Sequence, residues 1–238
     1  MKFKDRIEAG ELLCKKLKKY QNKDVVVYAL PRGGVETASP IAKFLHAPLD
    51  LVIARKISHP SSPEYAIAAV AENGHILGNK KELMEIDEDF LEEEMEKQRK
   101  EAKRRRQVYL HSHEMISPKG KIAILVDDGV ATGLTLRVGI LELKHRNPKK
   151  IIVAVPVVPR STASILKSES DELVALEIPS DEEFLGAVGA YYDSFNQLTD
   201  KDVIRILKEN RTFLTNGMGE FSTPNGRVEN GYIMRNEP

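Results

Sequence analysis

Two adjacent carboxylates, Asp127 and Asp128, stand directly after the apolar run Lys121-Ile-Ala-Ile-Leu-Val126 and directly before Gly129, Val130, Ala131, Thr132, Gly133, Leu134 and Thr135. An ionised carboxylate only accepts hydrogen bonds, so a neighbouring pair can grip adjacent hydroxyls of a sugar. The turn that follows would offer backbone N–H groups and the positive end of a helix, a combination suited to a phosphate. Thr132 and Thr135 add hydroxyl donors, and Gly129 and Gly133 allow close backbone approach. An ordinary strand-turn-helix corner with Asp as the helix cap would use the same residues and bind nothing.

Other strands must frame this turn. Residues 24–30 form a continuous β-branched run that reads as a buried parallel strand and stops at Pro31-Arg32-Gly33-Gly34. Residues 35–45 carry helical spacing and residues 49–54 are a second apolar run, which predicts strand, Gly loop, helix, strand in one right-handed crossover. Arg55 and Lys56 fall at the end of that second strand. Residues 58–63, with Pro60 and Pro63, follow neither period and predict a loop, while Asn73-Gly74 predicts a hairpin joining residues 66–70 to 75–77.

Strands over 151–158 and 172–178, separated by a helix over 161–168, bring the parallel sheet to about five strands. Helices are predicted after Thr135, over 200–210, and at the start, where Phe3, Ile7, Cys14 and Leu17 recur at near-helical spacing. The longest helix covers 87–110, with Leu91, Met95, Ala102 and Tyr109 on one stripe and acids giving way to bases along it. Its Glu93/Lys97 and Glu96/Lys100 pairs at i, i+4 explain the charge of Arg104-Arg105-Arg106 without a nucleic-acid partner.

Composition narrows the classes further. A chain of 238 residues, 41% hydrophobic, can bury one substantial core. Lys+Arg and Asp+Glu are each 36, so the chain has no global field for DNA or an anionic membrane. Cys14 is the single cysteine, which excludes an intrachain disulfide. No stretch reaches the roughly 20 apolar residues of a membrane span, and a cytoplasmic location is expected. His111, His113 and Glu114 lie at the wrong spacing for one metal-binding helix face. No Gly-x-Gly-x-x-Gly or Walker-type string occurs.

The string Ile124-Leu-Val-Asp-Asp-Gly-Val-Ala-Thr-Gly-Leu-Thr135 resembles the motif with which type I phosphoribosyltransferases bind 5-phosphoribosyl-1-pyrophosphate (PRPP). It departs at Gly129, where most of the family carries an aliphatic residue, a change expected to loosen the loop. The resemblance extends over about residues 25–208. There Ala54-Arg-Lys-Ile57, Pro63-Glu-Tyr-Ala-Ile67 and Ala71-Glu-Asn-Gly74 are similar to a branch with no assigned acceptor.

The resemblance implies a Rossmann-like α/β fold, with helices flanking the sheet and a small hood subdomain built from the chain ends and residues 179–197. The phosphoribosyltransferase-like domain would span 1–212, and the polar string at 213–238 would be an irregular or disordered tail. By the same resemblance, Asp127 to Thr135 would bind PRPP, and Arg32, Gly33, Gly34 and Lys56 the pyrophosphate. Lys56, Arg55 and Asp128 would be catalytic, residues 58–65 would form a lid, and Tyr191 and Tyr192 would stack on the acceptor. The implied reaction moves a 5-phosphoribosyl group to a nitrogen nucleophile and releases pyrophosphate. Mg2+ would be carried by PRPP without direct protein ligands, and a homo-oligomer fits the family. The alternative is a non-catalytic protein of the same fold that senses PRPP or a nucleotide.

Overall fold

Continuous apolar β-branched runs have no face to show to water, so they belong at the centre of a sheet covered on both sides. The computed structural model describes residues 2–111 and 115–217. The chain begins with α1 (Arg6–Leu17), a 3-10 turn (Lys18–Tyr20), β1 (Val25–Ala29), α2 (Gly33–Leu45) and β2 (Leu49–Leu51). Then come β3 (Ala54–His59), β4 (Ser62–Ala71), β5 (Ile76–Gly78), α3 (Lys80–Met84) and α4 (Glu88–Leu110). The second half comprises β6 (Ile122–Val126), α5 (Leu134–Lys144), β7 (Lys150–Val157), α6 (Arg160–Glu169), β8 (Glu172–Glu177), a 3-10 turn (Val188–Tyr191) and α7 (Asp200–Gly217).

Five strands form one parallel sheet in the order β2-β1-β6-β7-β8. Leu13, Ile41 and Leu207, from α1, α2 and α7, cover one face, while Leu136 and Leu166, from α5 and α6, cover the other. The chain steps outward from β1 to β2 and re-enters on the far side of β1 as β6. Strand order therefore reverses between β1 and β6, which opens a crevice at their carboxyl ends. Ala29 is level with Val126, and the Leu30 N–H donates to the Val126 carbonyl at 3.0 Å, so the two following loops start side by side.

The run 49–54 is not one strand. Leu49–Leu51 stays in the parallel sheet, whereas Ala54–His59 starts a second, antiparallel sheet of order β3-β4-β5. Arg55 and Lys56 thus lie inside β3 and do not end β2. The loop expected over 58–63 is also corrected, because Ser58 and His59 end β3 and Ser62 opens β4, leaving Pro60 and Ser61 to turn. Burial on both faces explains this outcome. Ile57, Ile67 and Val70 pack with Leu83, Leu91 and Met95, while Ala69 and Ala71 pack with Val138 and Leu134 of α5. Pro60 sits in the turn, and register shifts between Ile57 and His59 absorb the irregular tip. The β4–β5 hairpin is as expected.

Arg106 fastens α4 to both sheets, with Nε on the Glu72 carboxylate at 2.6 Å and Nη2 on the Leu51 carbonyl at 2.6 Å. Along α4, Lys97 pairs with Glu94 at 2.8 Å in place of the expected Glu93. Helix α7 runs to Gly217, so residues 213–217 are helical and not the start of an irregular tail. Residues 218–238, His113 and Glu114 lie outside the described residues.

Helix α1 lies so close to α2 that a Cβ on Gly10 would stand 2.3 Å from the Thr37 carbonyl oxygen and 2.5 Å from Pro40 Cγ. Gly10→Val should therefore lever α1 away and cost about 1–3 kcal/mol, as overpacking typically does. Urea unfolding measures this, and an unchanged midpoint would contradict the packing.

Candidate functional site

Strand β6 ends at Val126, and Asp127 and Asp128 emerge half-buried into the crevice between β1 and β6. Asp127 Oδ1 accepts the N–H of Asp128 at 2.9 Å. The loop after β1 presses against both acids. A Cβ on Gly33 would fall 1.8 Å from Asp128 Oδ2, and one on Gly34 would fall 3.1 Å from Asp127 Oδ1. Only a residue without a side chain fits at those two places. Arg32, joined to Pro31 by a cis peptide bond, reaches Asp200 of α7 at 3.8 Å.

Asp128 also has a cationic partner that local motifs do not announce. Arg6 Nε lies 2.7 Å from Asp128 Oδ2, with the arginine side chain 7% exposed and the aspartate side chain 15%. The same guanidinium donates to the Asn196 carbonyl at 2.8 Å, stands 3.7 Å from Glu36, and lies 3.8 Å from the centre of the Phe195 ring. From a third direction the Tyr192 hydroxyl donates to the Asp128 backbone carbonyl at 2.6 Å.

Beyond the acids the turn is firmly held. Gly129 adopts φ +149°, a conformation that L side chains rarely adopt, and a Cβ there would lie 2.4 Å from Val188 Cγ1. Val188 thus occupies the space an aliphatic side chain at position 129 would take. The Val130 N–H is tied to the Val157 carbonyl at 2.8 Å. These contacts brace the loop at the position where the loosening was expected. Gly133, with φ +76°, precedes α5 without a side-chain cap. Among the described residues, the N–H groups of Ala131, Thr132, Gly133, Leu134 and Thr135 have no hydrogen-bond partner, so the positive end of α5 is available to an anion. Ala131 and Thr132 are exposed.

Alternation along β3 separates the two basic residues. Lys56 is exposed on the side of α5 and lies within electrostatic reach of Asp127. Arg55 is on the opposite face, where its Nε donates to Gln98 Oε1 at 3.0 Å. There it lines a groove of about 800 Å3 along α4 that contains neither aspartate. The site therefore gathers Asp127, Asp128, Gly33, Gly34, Lys56 and the turn 129–135. It leaves Arg55 outside this group, although Arg32 still lies within its electrostatic range.

Tyr191 and Tyr192 are 5% and 4% exposed, so neither ring is a free stacking surface for an acceptor. Tyr192 packs on Phe3 and Phe195, and Tyr191 on Phe184, in a buried cluster shared with Ala9 of α1 and Val157 of β7. Phe3 bridges to Tyr192, joining the chain start to this segment.

The model of the phosphoribosyl transferase domain matches residues 4–193. The chain belongs to that family. Its five-stranded parallel sheet flanked by helices is the type I phosphoribosyltransferase fold. Two Mycobacterium tuberculosis proteins, Rv0571c and MT0597, named as candidate phosphoribosyl transferases, are each 35% identical over 207 residues, covering 86% of this chain and 46% of theirs. The chain thus spans about half the length of those relatives. The crystal structure of TT1426 from Thermus thermophilus is similar at 38% identity with a TM-score of 0.73, covering 88% of this chain and 99% of that one.

The paired acids are electrostatically unequal. Burial pushes the Asp127 carboxyl well above the ordinary range, the charge of Asp128 adds to this, and Lys56 opposes it. Burial also raises Asp128, but there Arg6 opposes it directly. A carboxyl raised in the folded state favours folding while protonated, and this contribution is lost as pH rises from the unfolded value of about 4 through the folded one. Asp127→Asn cannot ionise, so its stability should exceed that of the wild type increasingly as pH rises from about 4 to neutral. Thermal unfolding across that range tests the assignment, and parallel profiles for the two proteins would refute it.

Proposed function

We propose that the chain binds PRPP with Mg2+ and transfers its 5-phosphoribosyl group to a nitrogen nucleophile, a nucleobase or other amine, releasing pyrophosphate. The observation that carries this reading is the coincidence, at one strand-order reversal, of two acids and a run of N–H groups at the start of α5 that have no partner among the described residues. Asp127 and Asp128 would accept the two ribose hydroxyls, and the turn from Gly129 to Thr135 would hold the 5-phosphate. Gly33 and Gly34 would let the loop after β1 approach the pyrophosphate, with Arg32 and Lys56 supplying positive charge.

In the reaction the C1–O bond to pyrophosphate breaks with its electron pair leaving on the pyrophosphate. The nitrogen lone pair forms the new C1–N bond, and the nitrogen then releases its proton to solvent. Positive charge grows on the ribose meanwhile, next to the Asp127/Asp128 pair, and negative charge grows near Lys56. Mg2+ would be held mainly by the substrate's oxygens and water. Bound in that way, Mg2+ would neutralise charge on the departing pyrophosphate. The β3–β4 hairpin carries Lys56 and would act as the lid that limits hydrolysis. The chain ends and residues 179–197 would form the hood over the acceptor.

Calorimetry with PRPP and Mg2+ should detect binding to the wild type, and binding should be lost in Asp127→Asn. Pyrophosphate release should appear when the right base or amine is included in a screen. Binding without release for any acceptor would favour a sensor over an enzyme, and absence of binding would remove the reading altogether. Lys56→Ala should lower turnover on the order of 100-fold, with a smaller effect on PRPP affinity, because charge on the leaving group is greatest in the transition state. Loss of affinity with unchanged turnover would contradict that role.

A further inference from the structure

An arginine buried against one oxygen of a buried carboxylate demands a reason, since removing both ions from water is costly. Arg6 occupies that position, and its contacts come from three separate parts of the chain. It is the first residue of α1, and its Nε holds Asp128 Oδ2 at 2.7 Å. It also meets the Asn196 carbonyl at 2.8 Å, Glu36 of α2 at 3.7 Å and the Phe195 ring at 3.8 Å. A guanidinium is planar and donates in fixed directions, so this set of partners orients the carboxylate as well as neutralising it.

We infer that Arg6 is a positioning residue for the sugar-binding carboxylate: it fixes Asp128 through Oδ2 and leaves Oδ1 to accept a ribose hydroxyl. The inference rests on the PRPP reading above and adds to it a residue that lies outside the motif. It also explains the contrast within the pair. Without a cation at Asp128, two half-buried neighbouring carboxylates would compete for one proton, and neither would be a dependable acceptor.

The charged and titratable groups that act on the pair are Arg6 from the chain start, Lys56 from β3 and Tyr192 from the segment after β8, while Glu36 of α2 acts on Arg6 and Asp5 on Glu36 and Tyr192. Of these, Arg6 alone forms a hydrogen-bonded ion pair with Asp128 among the described residues. Burial pushes the Tyr192 hydroxyl far up, so it does not ionise in the range of interest. Glu36 is raised by burial and would itself lose Arg6 in a variant, which makes Glu36→Gln the necessary background control.

The test compares PRPP affinity between pH 5 and 8 for the wild type, Arg6→Gln and Arg6→Lys, with thermal unfolding run alongside. Arg6→Gln should bind at least tenfold more weakly at neutral pH. The acidic limb of its affinity profile should move to higher pH, because removing the cation lets Asp128 take up a proton sooner. Arg6→Lys should recover part of the affinity and return the limb toward that of the wild type, also in the Glu36→Gln background. Should Arg6→Gln fail to fold, the cycle of Arg6→Lys with Asp128→Asn, read in KM and kcat for the pyrophosphate-releasing reaction, decides the matter. If Arg6 acts through Asp128, the lysine adds less than twofold to the loss in Asp128→Asn, whereas effects that multiply indicate an independent role. A folded Arg6→Gln with wild-type affinity, or with weaker affinity and an unmoved acidic limb, overturns the proposal while the PRPP reading stands. A wild type that binds no PRPP overturns both.

Discussion

Two like charges at the end of one strand form the constraint around which this molecule is built. Asp127 and Asp128 are neighbours, half-buried, and pushed toward protonation by their surroundings. A fold gains nothing in stability from such a pair, and its place at a strand-order reversal makes it a candidate site. The surrounding contacts follow from the need to hold the pair in register. Arg6 meets one acid, Lys56 lies near the other, and the Asp128 N–H satisfies Asp127.

Those supports come from distant parts of the chain, so the site depends on the whole fold. The close packing of Gly10 on α2 sets where Arg6 stands. The segment around Val188 and Tyr192 grips the turn from the other side, through the space over Gly129 and the hydroxyl bond to the Asp128 carbonyl. The glycine at position 129 thus reads as one half of a fitted contact, with its missing volume supplied by Val188. A turn braced in this way presents its N–H groups already aligned, and little ordering is left for a ligand to impose.

Departures from the expected secondary structure share one cause. Residues 58–63 contain two prolines and no clear period, yet Ile57 and residues 67–71 beside them are buried on both sides, between α4 and α5. Cross-strand pairing then extends outward almost to the tip. The consequence for the site is specific: strand alternation sends Lys56 toward Asp127 and Arg55 toward Gln98, a separation that an unstructured loop would not impose.

By itself the sequence determined the order of the parallel strands and the helices between them, the strand that precedes Asp127, and the turn from Gly129 to Thr135, because each is written in neighbouring residues whose period or type has a direct backbone meaning. Gly33 and Gly34 were legible for the same reason, as a break after a buried strand. Tertiary structure alone decided that Arg6 pairs with an acid 122 positions away, that Tyr191 and Tyr192 are buried, and that Arg55 and Lys56 part company. Such outcomes depend on which surfaces meet once the helices pack. An arginine in an amphipathic helix looks the same in sequence whether it faces water or a carboxylate, since desolvation and pairing are properties of the assembled interior.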